Sequence, residues 1–169
     1  NEEENLVFFI KEWEKFILKN KGCKELLFFY FVNDGSTDQS VKKIKQYIEK
    51  LKFKIINKKN SGHGESCKFA YNKIANNETK FEYLLQIDSD NQCDPIYLIK
   101  FIKLLNSKNY DFIFGYRKYR QDGYVRVLIS RILSLTFYIK KFKYIKDLNT
   151  PYRLMKIDYL KKILLNIKK

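Results

Sequence analysis

The chain has 169 residues, 45% of them hydrophobic and 17% aromatic, which suffices for one packed domain and excludes a chiefly disordered segment. Its 34 Lys and Arg against 19 Asp and Glu leave a net charge of +15, which points to an anionic partner such as nucleic acid, lipid headgroups or a phosphorylated substrate; a general bias toward Lys, Asn, Ile, Tyr and Phe explains the same balance without any polyanion. No apolar run approaches the ~20 residues that span a bilayer, and Cys23, Cys67 and Cys93, odd in number and without metal-ligand spacing, fit reduced thiols in a cytosolic protein.

Residues 3–19 carry Leu6, Phe9, Ile10, Trp13, Phe16 and Ile17 at helical spacing. Residues 25–32 (ELLFFYFV) read as a short buried strand. A helix is expected over 37–51, with Val41, Ile44, Ile48 and Leu51 on one face, Ser36 as its N-cap and Asp38 in its first turn. A second strand covers 52–57, a helix 65–75, and a third strand 81–87. Pro95 opens a helix over 95–106, a strand at 111–114 closes on Gly115, and 123–141 reads as a longer amphipathic helix. Leu154 and Met155 suit a last short strand before a terminal helix over 157–167. Alternating strands and helices predict an α/β/α sandwich with a mainly parallel sheet, whose ligands bind beyond the carboxyl ends of the strands. Four polar clusters fall at those ends: NDGSTD, NKKNSGHG, DSDNQ and GYRKYR.

In DSDNQ, Asp88, Asp90 and Gln92 alternate and project to one side of an extended backbone. Two carboxylates and an amide oxygen suit a hard cation, Mg²⁺ or Mn²⁺, able to hold a diphosphate as a leaving group; the same residues also serve as a solvated loop capping the next helix. In NDGSTD, Gly35 permits a sharp turn and Asp34 is either an acceptor for base or ribose donors or plain strand–turn–helix punctuation. NSGHGES has two glycines that let backbone approach a ligand, but lacks the Lys-Ser/Thr ending of a P-loop. His63, the only histidine, reads as a loop residue, since no nucleophile elbow surrounds any serine. Arg117 and Arg131 stand out in a Lys-rich chain as bidentate phosphate binders; a charged helix face accounts for Lys118 and Arg120.

These motifs in this order resemble family 2 glycosyltransferases of the GT-A fold, above all the polyprenyl-phosphate sugar synthase branch and its bacterial relatives. The matching pieces are NEEENL, NDGSTD, NSGHGES, QIDSDNQCDP, GYRKYRQDGYVRVLISR and DLNTPYRLM, running from Asn1 to about Met155. The resemblance implies inverting transfer from a nucleotide-diphosphate sugar to a lipid-phosphate or glycan acceptor at the cytoplasmic membrane face. It implies that Glu2, Asp34, Gly35 and Asp88 hold the nucleotide. It implies that Asp88, Asp90 and Gln92 hold Mg²⁺ or Mn²⁺, that Arg117 and Arg131 meet phosphates, and that Asp147 lies near the acceptor as a candidate base.

Two departures matter. Asn33 replaces the first acid of the usual DDGS, and the chain opens at the NE of the family's IVIPVYNE strand. That strand lies centrally between the strands at 26–32 and 82–87, so a fragment of a longer protein is expected, with a gap or distorted pairing beside Phe28–Val32. The carboxyl end is expected to continue as well. Leu128, Ile132, Leu135 and Ile139 line one side of the 123–141 helix, with basic flanks; they either pack on the sheet or lie in an anionic membrane interface. The rivals are a sugar nucleotidyltransferase, which wants a Gly-rich basic loop after the first strand, a basic nucleic-acid-binding module, and an inactive remnant. Convergence of Asp34, Asp88 and Asp90 on one cleft separates the enzyme from the nucleic-acid module.

Overall fold

The computed structural model describes residues 2–77, 80–90, 93–116, 124–141, 147 and 150–167. Helix α1 (Glu3–Lys19) buries Leu6, Phe9, Ile10, Trp13, Phe16 and Ile17, the stripe that the 3.6-residue period places on one face. Glu3 and Glu4 in its first turn and Lys19 in its last complement the helix dipole. At its end the Asn20 side-chain amide and backbone N–H both donate to the Phe16 carbonyl, which no later turn reaches.

Strand β1 (Phe29–Asp34) starts four residues later than the strand expected at 25–32. It begins where Phe29 meets Phe53 of β2 (Phe53–Lys58), and the parallel ladder runs to Asp34 opposite Lys58. Residues ahead of Phe29 have a 3₁₀ turn (Lys21–Cys23) and an exposed Leu26 instead of a partner strand. Helix α2 (Ser40–Tyr47) is shorter than its periodicity suggests. Ile48 is already extended, and the Glu14 carboxylate of α1 accepts the N–H groups of Glu49 and Lys50 at 2.8 Å each. Those donors are satisfied from outside the helix, so it need not continue. Its N-terminus is served by Asp38, which accepts the Ser40 N–H, while the Ser36 N–H donates to Asn33 in a turn; Ser36 is not the cap.

Then follow α3 (His63–Asn77), β3 (Tyr83–Gln86), α4 (Tyr97–Ser107), β4 (Phe112–Phe114), α5 (Tyr124–Lys141), β5 (Arg153–Lys156) and α6 (Ile157–Ile167). Asp94, the third acid after β3, caps the turn leading into α4 through the Ile96 N–H at 2.8 Å. Strand β5 lies between β3 and β4 and runs antiparallel to both. Side chains alternate across this sheet as a two-residue period requires. Leu84, Met155 and Phe112 pack with α3 and α6, whereas Leu85, Leu154 and Ile113 pack with Phe101 of α4. Phe29 and Phe31 of β1 join Leu85 and Ile87 under α1. Helices therefore cover both faces, giving the three-layer α/β/α architecture.

The strands are not one continuous ladder. Among the described residues β1 pairs with β2 alone and β3 with β5 alone, so backbone pairing is interrupted beside Phe28–Val32, the place expected from the motif order. Side chains bridge the interruption, with Phe28 and Phe81 at 5.9 Å between ring centroids. Every residue of β1 and of β3 is only half buried, unlike a strand flanked on both edges.

Candidate functional site

The carboxyl end of β1 presents Asn33, Asp34 and Gly35. Asn33 is a structural hinge: its amide donates to Asn57 of β2 at 2.9 Å and its carbonyl oxygen accepts the Ser36 N–H at 2.9 Å. Gly35 has φ of +70°, and a Cβ there would sit 2.8 Å from the Asn60 nitrogen. The turn is thus glycine's for two independent reasons, handedness and space. It lets the loop after β2 lie directly on the end of β1.

That loop grips Asp34. Ser61 and Gly62 donate their N–H groups to its two carboxylate oxygens at 3.0 Å each, and the Lys58 ammonium bonds to Oδ1. Lys58, led by its hydrogen bond, together with Ser66 and the Ser61 N–H outweighs desolvation and pulls the Asp34 carboxyl from 3.8 to about 2. Lys58 was not singled out in the sequence. The available signal was that both strands end on an ionisable residue of opposite sign, and that parallel pairing of the two apolar runs sets those ends side by side.

Glu2 lies on the same edge. Its N–H donates to Ser40 Oγ at 3.4 Å, and the next N–H, of Glu3, donates to Asp38 at 3.3 Å, while Glu3 accepts the Gln39 N–H at 2.8 Å. The two helix N-termini cap each other, close after Asp34 in the chain. The exposed Glu2 carboxylate accepts from Asn5 at 2.9 Å.

Asp88 follows β3 by two residues, and Cys67 and Tyr71, the fifth and ninth residues of α3, lie within its electrostatic reach. Burial chiefly, with Asp88 adding to it, raises the Cys67 thiol; burial also pushes the Tyr71 hydroxyl up to about 12. Tyr71 donates to Gln86 beneath Asp88. A cavity of about 400 Å³ opens between α3 and α6, lined among others by His63, Cys67, Tyr71, Gln86, Leu164 and Ile167, and neither Asp34 nor Asp88 is in its lining. His63 is the first residue of α3 rather than part of a loop, with its Nε2 3.6 Å from Cys67 Sγ. Asp34 is thus bonded to Ser61 and Gly62 just ahead of α3, and Tyr71, midway along α3, is bonded to Gln86 near Asp88, so one segment borders both strand ends.

Asp147 is buried beside Thr150, and Gly115, just past β4, donates its N–H to Tyr152 at 2.8 Å. Because β5 runs antiparallel, the segment 150–152 leading into it sits at the edge where β3 and β4 end. Arg131 is exposed on α5. Of the three residues expected to hold a cation, Asp88 and Asp90 are described, whereas Gln92, like Arg117, lies outside the described residues. Among the described residues no three His, Cys, Asp or Glu side chains converge as a metal cage.

Known proteins resemble the chain at two levels. The profile of glycosyl transferase family 2 matches residues 1–164. The uncharacterized protein MJ0544 of Methanocaldococcus jannaschii is 29% identical over 170 residues, covering 95% of this chain and 70% of that protein. Among solved structures, S. aureus TarS residues 1–349 in complex with UDP-GlcNAc superposes with a TM-score of 0.55 at 20% identity, over 83% of this chain and 39% of TarS. The same TarS segment described without a ligand superposes with a TM-score of 0.55 at 21% identity, over 83% and 40%. The chain therefore spans about two fifths of those solved chains, and the likeness establishes the fold.

Proposed function

Because the chain belongs to glycosyl transferase family 2, a family of sugar transferases with the GT-A fold, we propose that it moves a sugar from a nucleotide-diphosphate donor to a lipid-phosphate or glycan acceptor, with inversion and with a divalent cation. The observation that carries this reading is that one stretch, 61–71, bonds Asp34 at its start through the Ser61 and Gly62 N–H groups and, further along, bonds through Tyr71 to Gln86, two residues before Asp88. Asp34, Gly35 and Glu2 serve the nucleoside end. Asp88, Asp90 and Gln92 would hold Mg²⁺ or Mn²⁺, which when bound supplies positive charge to the departing nucleotide diphosphate. Arg117 and Arg131 meet phosphates of donor or acceptor. The acceptor oxygen forms its bond to the anomeric carbon from the face opposite the breaking bond to the diphosphate. Asp147 is the candidate base for a hydroxyl acceptor; a phosphate acceptor is already ionised and needs none.

Transfer of radiolabelled sugar from a panel of nucleotide sugars with Mn²⁺ is the direct test. Asp90→Ala should lower the rate roughly 10²-fold or more, the scale of a lost preorganised charge contact. Undiminished transfer would refute the metal role.

A membrane-surface acceptor has its own support. Leu128, Ile132, Leu135 and Ile139 are 59%, 51%, 55% and 63% exposed, so the stripe does not pack on the sheet. Basic residues flank the helix in sequence, which suits contact with an anionic leaflet at the cytoplasmic face. No helix among the described residues is long and apolar enough to cross a membrane. Co-sedimentation with vesicles containing phosphatidylserine, but not with neutral vesicles, is expected.

A further inference from the structure

Lys58 is the end residue of β2, paired in register with Asp34. Its ammonium is ringed by oxygens. Besides Asp34 Oδ1, the Lys59 carbonyl at 2.7 Å, Ser61 Oγ at 2.7 Å and Ser66 Oγ at 3.2 Å lie within reach, four oxygens for three N–H donors, so one hydrogen is shared. The side chain is 11% exposed and the ammonium lies 6.0 Å from the centre of the Phe69 ring. Three of these partners belong to residues 59–66, the stretch whose Ser61 and Gly62 N–H groups also hold Asp34. One cation thus ties the strand end, the loop and the start of α3 to a single carboxylate.

A carboxylate has about four lone-pair directions. Lys58 and Ser61 bond to Oδ1, Gly62 bonds to Oδ2, and the Ser66 hydroxyl also favours the ionised carboxylate. The result is a fixed carboxylate whose aim depends on the loop staying folded onto it. We infer that Lys58 is a positioning residue for the nucleoside end of the donor, acting through Asp34 and the 59–66 loop rather than by touching the sugar or the reacting phosphates. The inference rests on the donor reading above and adds to it a residue and a physical means: a nearly buried cation that makes the nucleoside acceptor rigid before the ligand arrives.

The test is a double-mutant cycle on Asp34 and Lys58. Affinity for UDP, and for GDP in a parallel series, is measured by titration calorimetry on the chain, on Lys58→Met, on Asp34→Asn and on the double variant. Lys58→Met should weaken binding of the preferred nucleotide roughly tenfold or more, the scale of one charge-assisted hydrogen bond. The same change in the Asp34→Asn background should cost no more than about twofold. Lys58→Arg, which keeps the charge, should recover most of the affinity. In transfer assays the loss should fall on KM for the donor and leave kcat nearly unchanged. Exchange of the Ser61 and Gly62 amide hydrogens should accelerate in Lys58→Met and not in Lys58→Arg, a readout that holds even if nucleotide affinity becomes too weak to measure. Equal losses in the two backgrounds, or unaltered exchange at Ser61 and Gly62, overturn the inference while leaving the donor reading intact. Failure of the unaltered chain to bind either nucleotide overturns both.

Discussion

Gly35→Ala is the sharpest test of how the site is assembled. The residue has φ of +70°, and a left-handed backbone costs a residue with a Cβ about 1–2 kcal/mol. The new Cβ would also lie 2.8 Å from the Asn60 nitrogen and 3.1 Å from the Asn60 Cβ. Neither atom is the tip of a flexible side chain, so the loop itself must move, and forced overpacking of this kind costs about 1–3 kcal/mol. The two contributions together predict a loss of about 2–5 kcal/mol, a large share of the ~5–15 kcal/mol typical of a domain. Gly62→Ala supplies the control, because its φ is +86° but nothing lies within 4 Å of the added carbon. It should lose only the conformational part, about 1–2 kcal/mol. Urea denaturation of both variants measures the difference, and UDP titration reads its consequence, since displacing Asn60 drags the Ser61 and Gly62 N–H groups off Asp34. Equal destabilisation of the two variants would refute the close approach of the loop to β1, and with it the account of how Asp34 is held.

Other outcomes follow from the same coordinates. The folded-state pKa of Asp34 is depressed from 3.8 to about 2, so its contribution to stability is present above pH 3.8 and is lost as pH falls toward 2; the stability gap between the chain and Asp34→Asn, followed by urea midpoints, should narrow across that window. Trp13 is 1% exposed and meets Phe9, Phe16 and Phe29 at ring distances of 6.1, 5.7 and 5.2 Å; Trp13→Ala should cost about 3–5 kcal/mol by chemical denaturation. Trp13→Phe should cost less, because it also removes a buried indole N–H that has no hydrogen-bond partner among the described residues. Leu135→Asp, at a side chain 55% exposed, should change stability by no more than about 0.5 kcal/mol while reducing association with anionic vesicles.

The one-dimensional pattern determined most of the elements. The stripe from Leu6 to Ile17 could bury itself only as one helix face, and α6 begins and ends where its periodicity does, at 157–167. Polar clusters after apolar runs marked the ends of β1, β2 and β3 because a strand that leaves the core must turn there, and a turn needs Gly, Asn, Ser or Asp. Asp34 and Asp88 were legible as site candidates for that reason. The resemblance to a family then supplied Glu2 and Asp147, which no local pattern marked.

Distant groups decided the remainder. Helix α2 stops at Tyr47 because the carboxylate of Glu14, more than thirty residues earlier, captures the next free N–H groups. Strand β1 begins at Phe29 because only there does β2 offer a partner, and β5 inserts antiparallel between β3 and β4, an order that no run of apolar residues encodes. Lys58 became part of the site only when parallel pairing set it opposite Asp34. Periodicity reports which face of an element turns away from water; hydrogen-bond and charge partners are chosen among whatever the packed elements bring within reach, and that choice exists only in three dimensions.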